Sequence, residues 1–109
     1  MKLINLVFLC FLVSVSSYAQ DDSDYNSTAR KIKNQLSKQL RKIDFENNQF
    51  CDLILEMKQS GNYVSIRRVS GTGSSFICRE SKKLLNKKKK YRYSDSQKYL
   101  HIHIASKNL

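Results

Sequence analysis

Proline and tryptophan are absent from the 109 residues, and glycine and cysteine occur only three times each. So few glycines leave little room for a glycine-rich catalytic framework, and without proline no proline-rich linker sets off a second domain. The length allows one small domain at most, which excludes a multidomain enzyme. Acidic residues are scarce too, nine against 20 Lys and Arg, for a net charge of +11. What is present is enough apolar residue, 40% of the chain, to argue against wholesale disorder.

Part of that apolar content belongs to a leader. Lys2 gives residues 1–19 a positive start, residues 3–15 are apolar apart from Asn5 and Ser14, and Ser17 and Ala19 place small residues where a signal peptidase needs them. The run is shorter than the roughly 20 residues a spanning helix requires. Cleavage after Ala19 and export to the periplasm are therefore expected, with no stable membrane insertion, leaving 20–109 as a single domain. Loss of Cys10 with the leader leaves Cys51 and Cys78, an even pair in an exported protein, which reads as one disulfide. Free thiols or a metal pair are the alternative. The only histidines, His101 and His103, do not complete a closed zinc set with two Cys 27 apart, so no metal or other cofactor is expected.

Behind the acidic lead Asp21, Asp22 and Asp24, the residues Tyr25, Ala29, Ile32, Leu36, Leu40 and Ile43 recur at spacings of three and four, one stripe of a helix. Its opposite face carries Arg30, Lys31, Lys33, Lys38, Arg41 and Lys42 and reads as solvated. From Cys51 the period changes to two, with Leu53, Leu55 and Met57 on one side. Ser60, Gly61 and Asn62 supply a turn, and residues 63–67 resume the alternation, predicting an antiparallel hairpin. Residues 70–75, rich in Gly and Ser, break the pattern, and a helix from about Ser75 is expected to bury Ile77, Cys78, Leu84 and Leu85. A solvated basic connector over 86–93 precedes a last strand, 99–105, with Leu100, Ile102 and Ile104 on its inner side. The fold predicted is α+β: a three-stranded antiparallel sheet, hairpin plus C-terminal strand, packed against helices in the order α-β-β-α-β with one disulfide.

The segment CDLILEMKQSGNYVSI (51–66), the GTG of 71–73 and the CRES of 78–81 together resemble the C-terminal domain of TolA, the Tol-Pal envelope protein, over most of the chain after the leader. Tyr25 with Ile32, Cys51, Gly61, Ile66, Gly73 and Cys78 stand at the matching places of the family's helix, Cys-led strand, Gly turn, second strand and Cys-opened helix. The resemblance implies a non-catalytic domain that binds envelope partners of the Tol system and receives bacteriocins and filamentous phage, often by strand addition to a sheet edge. The family tends to carry prolines between its last helix and last strand, where this chain has Lys87, Lys88, Lys89, Lys90, Tyr91, Arg92 and Tyr93.

Two clusters are candidate sites. Tyr99, His101 and His103 share the outer side of the last strand; the histidines read as surface residues, or else as an acid/base pair of a small secreted ribonuclease. That strand is also expected to offer a free edge to a partner. The basic run from Arg79 through Lys82, Lys83 and Lys87 to Arg92 has the composition of a nucleic-acid patch, but export favours a solvated face or docking to an acidic protein. A phosphate cradle at Gly71, Thr72 and Gly73 lacks the following Lys of a P-loop and reads as a plain loop with a Ser N-cap. The expected partner is thus a protein, an acidic one, with no nucleic acid and no catalytic residue. The runner-up is an immunity protein that neutralises an antibacterial toxin, and a basic nucleic-acid-binding protein or ribonuclease comes last.

Overall fold

The computed structural model describes residues 21–92 and 97–109. The leader, its cleavage after Ala19, and Tyr93 lie outside the described residues.

The described residues open with a 3₁₀ turn, Asp22–Asp24, followed by α1 (Ser27–Leu40), β1 (Phe50–Ser60), β2 (Tyr63–Gly73), α2 (Ser75–Leu84), β3 (Tyr91–Arg92), β4 (Tyr99–Ala105) and a closing 3₁₀ turn, Ser106–Asn108. The architecture is α+β with a four-stranded antiparallel sheet in the order β3-β2-β1-β4. Both helices cover one face. Ala29, Ile32, Leu36 and Leu40 of α1 and Ile77 of α2 meet Leu53, Leu55, Ile66, Leu100, Ile102 and Ile104 in a single core.

The expected sheet of three strands is corrected to four. Tyr91 is buried, and its hydroxyl reaches the Gln35 Oε1 of α1 at 3.2 Å. Anchoring that ring brings residues 91 and 92 alongside Val64 and Tyr63, where they pair as a short strand. The surrounding lysines hid this element, because from residue 86 to 92 every side chain but Tyr91 is exposed. Burial also pushes the Tyr91 phenol above its ordinary pKa.

Other boundaries shift for equally local reasons. The first helix is shorter than its apolar stripe: Asn26 sits at the N-cap and its side chain accepts the Ala29 N–H at 2.9 Å, so Tyr25 lies outside and is exposed. Ile43 packs on the core from beyond the C-terminal end. The second strand runs on through the Gly and Ser residues to Gly73 instead of ending near 67, with a bulge opposite Glu56 and Met57. Those glycines serve packing. A Cβ on Gly71 would stand 2.9 Å from Cys51 Sγ and 3.3 Å from Cys78 Sγ, and Gly73 has φ +145° with the Phe50 carbonyl oxygen where a side chain would go. In α2, Ile77 and Cys78 are buried as expected, whereas Leu84 is exposed and Leu85 only partly buried; Ser81 is fully buried in their place. Ser74, at the N-cap position of α2, makes no capping bond, and its Oγ accepts the Phe50 N–H instead.

Cys51 and Cys78 are bonded, tying the start of β1 to α2. The bridge closes a separation of 27 residues. In a domain of this size that cross-link matters, since so small a chain buries only about 60–65% of its unfolded surface.

Candidate functional site

Because the helices cover one face of the sheet, the side chains that alternate away from the core share the other face, on which no element packs among the described residues. The register places Asp52 directly opposite His103, Ile54 opposite His101 and Glu56 opposite Tyr99. On the other side of β1, the same three residues face Thr72, Ser70 and Arg68.

This brings a carboxylate to the two predicted histidines. His103 Nδ1 lies 2.7 Å and His101 Nε2 3.3 Å from the same oxygen, Asp52 Oδ1. A carboxylate only accepts, so in the short contact with His103 it is the Nδ1 that donates. Phe50 stacks on the His103 ring with 6.0 Å between centroids, and Arg68 approaches Glu56 at 3.6 Å. The point where both ring nitrogens converge is thus occupied by the carboxylate oxygen. Consistently, no group of three or more His, Cys, Asp and Glu is placed to hold a metal among the described residues. The trio fixes side chains across the β1–β4 pair and leaves large apolar surface around it: Phe50 is 44% exposed, Ile54 40% and Tyr99 54%.

The outer edge of β4 differs from what the sequence suggests. Two of its outward N–H groups are taken: His101 donates to Asp22 Oδ2 at 2.9 Å and His103 to Asp21 Oδ2 at 3.3 Å. The lead segment that carries these carboxylates is itself tied down. Lys33 pairs with Asp21, Arg30 donates to the Ser23 and Asp24 carbonyls, and the Tyr25 hydroxyl donates to Asp22 at 2.6 Å. That last bond, to an acceptor it would repel as a phenolate, raises the Tyr25 pKa. The acidic lead thus covers part of the outer edge of β4, and the expected free edge is corrected accordingly.

The two predicted clusters are not brought together. Tyr99, His101 and His103 belong to β4, whereas Lys87, Lys88, Lys89, Lys90 and Arg92 lead into and form β3 at the opposite edge. Three strand spacings of about 4.8 Å separate those edges. The basic connector therefore flanks β2 and not the last strand. Gly71, Thr72 and Gly73 form strand and not a phosphate-binding loop. Sequence reasoning missed Asp52 and Ile54, which look like ordinary outward positions until the β1–β4 register sets them beside the histidines. Among the described residues, no helix is long and apolar enough to cross a membrane.

Comparison with protein families, with characterised proteins and with solved structures gives no match to this chain.

Proposed function

We propose that this chain is an exported, non-catalytic protein-binding domain of the kind that the resemblance to the TolA C-terminal domain implies. It binds a Tol-system envelope partner or a bacteriocin or phage protein through the bare face of its sheet. The observation that carries this reading is the cluster of Phe50, Ile54 and Tyr99 on a face no helix covers. Phe50, Ile54 and Tyr99 stand around the polar Asp52, His101 and His103 on one face, apolar anchors interspersed with polar groups as at a protein interface. The disulfide and the Asp52 bonds to His101 and His103 hold the patch rigid, so little ordering entropy is lost on docking.

The test is calorimetric titration of the oxidised domain with purified Tol-system envelope partners and with the receptor-binding domains of bacteriocins and filamentous phage. At least one should bind, and Ile54→Lys should weaken it about tenfold or more while leaving thermal unfolding unchanged. Absence of binding by all of them, or binding indifferent to Ile54→Lys, defeats the proposal.

A further inference from the structure

The two edges of the sheet are built differently. At β4 the lead carboxylates occupy the outward donors of His101 and His103. At the other side β3 pairs with β2 only at Tyr63 and Val64, and from residue 65 to Gly73 no strand lies against the outer edge of β2 among the described residues. The bulge makes Arg67 the extra residue, and beyond it the six residues 68–73 keep unbroken register with β1, from Arg68 opposite Glu56 to Gly73 opposite Cys51. In an antiparallel ladder every second residue turns its N–H and C=O away from its partner strand. This stretch therefore presents a row of backbone groups of the kind that templates a further strand.

What flanks that row gives it a chemical preference. A groove runs beside it, floored by Gly71 and Gly73 and walled by Arg79, Lys82 and Lys83 of α2. Glu80 is the only carboxylate of α2, and it is already approached by Arg79 at 3.8 Å and Lys83 at 3.3 Å, while Lys82 has no ion pair among the described residues. Arg67, exposed at the bulge, adds positive charge from the strand itself. An added strand would turn alternate side chains toward α2, so acidic residues at every second position would meet this wall. The connector of Lys87, Lys88, Lys89 and Lys90 follows α2 and returns the chain to β2 at Tyr63. It lies on the approach to the same edge, where it adds long-range attraction.

We propose that residues 68–73 of β2 form a second docking site, which takes an extended acidic polypeptide segment as an added strand with its carboxylates against Arg79, Lys82 and Lys83. The site is separate from the bare face and does not depend on the function argued for that face.

The probe is a fluorescein-labelled ten-residue peptide of alternating Glu and Val, compared with one alternating Glu and Pro, by fluorescence anisotropy on the oxidised protein at low and high salt. The Glu-Val peptide should bind about tenfold or more tightly than the Glu-Pro peptide, which has the same charge but cannot complete a ladder. Hydrogen exchange should show new protection within 68–73. Lys82→Glu with Lys83→Glu, both exposed positions, should weaken binding about tenfold without altering the melting curve. Equal binding of the two peptides would show charge attraction alone and overturn the proposal. So would protection that falls on Tyr99–Ala105, indifference to the charge reversal, or no binding of the Glu-Val peptide at low salt.

Discussion

The carboxylate of Asp22 accepts the backbone N–H of His101 across 79 residues of chain, at 2.9 Å, and so stands where the carbonyl of a neighbouring strand would stand. Asp21 does the same for His103. A strand edge left open is an invitation to pair with another copy, and here two side chains close it without a fifth strand. Asp22 is itself buried, so its loss takes a sheltered acceptor from the His101 N–H.

Asp22→Ala is therefore expected to cost about 1–3 kcal/mol, since it takes the acceptor from the His101 N–H. Amide exchange at His101 should accelerate more than at Ile102, whose N–H faces β1. Sedimentation should show concentration-dependent association through the uncovered edge. Unchanged exchange at His101 would mean the carboxylate is not what closes it.

Asp21 supplies a pH dependence of definite sign. Partial burial pushes its carboxyl up, but the bonds from Lys33 and from Ser23 outweigh burial and hold it below the ordinary value. A carboxyl whose folded pKa is depressed stabilises fully above its unfolded pKa, near about 3.9, and loses that contribution as pH falls through the lower folded value. The melting temperature of the wild type should thus exceed that of Asp21→Asn by a constant amount above pH 5. The two should converge as the pH is lowered below about 4. A gap that persists into acid would show that Asp21 acts by packing and not by charge.

Much of this fold is legible in the sequence because the period of its apolar residues is undiluted. Ala29, Ile32, Leu36 and Leu40 announce a helix, and Cys51, Leu53, Leu55 and Met57 a strand, and all are buried. The failures arise where one residue decides. Tyr91 makes a strand inside a lysine run because its ring alone finds apolar cover. Gly71 looks like loop chemistry but is strand, its missing Cβ being needed by two sulfurs. The site was less legible still: His101 and His103 are visible as a pair, but Asp52 joins them only through cross-strand register, and Asp21 and Asp22 reach β4 from the far end of the chain.

The disulfide and Gly71 should be coupled. Closing a separation of 27 residues, the bridge contributes roughly 3–4 kcal/mol by loop-closure entropy, so Cys51→Ser with Cys78→Ser should lower stability by that order. Gly71→Ala pushes a methyl against Cys51 Sγ and should cost about 1–3 kcal/mol in the oxidised protein. Without the bridge the two sulfur positions are no longer constrained together, and the same substitution should cost less. Urea unfolding of the four proteins measures the coupling, and equal Gly71→Ala penalties in both backgrounds would place the strain elsewhere.

Ser81 offers the opposite case, a position where the native residue is not the most stable one. It is fully buried on the inner face of α2, and its Oγ has no hydrogen-bond partner among the described residues. A buried hydroxyl without a partner costs about 1–3 kcal/mol of desolvation, and serine is also a poorer helix former than alanine. Ser81→Ala removes only that oxygen, leaves a void too small to matter much, and should stabilise the domain by about 1–2 kcal/mol. For a domain of this size each kcal/mol raises the melting temperature by about 4–8 °C, so the shift is large enough to read by calorimetry. Ser81→Val adds bulk instead and should destabilise, because Ile77 and Cys78 already fill the space beside it. If Ser81→Ala melts below the wild type, the hydroxyl is bonded after all, through a buried water, and exchange of the Ile77 and Cys78 amides in the same variant would rise with it.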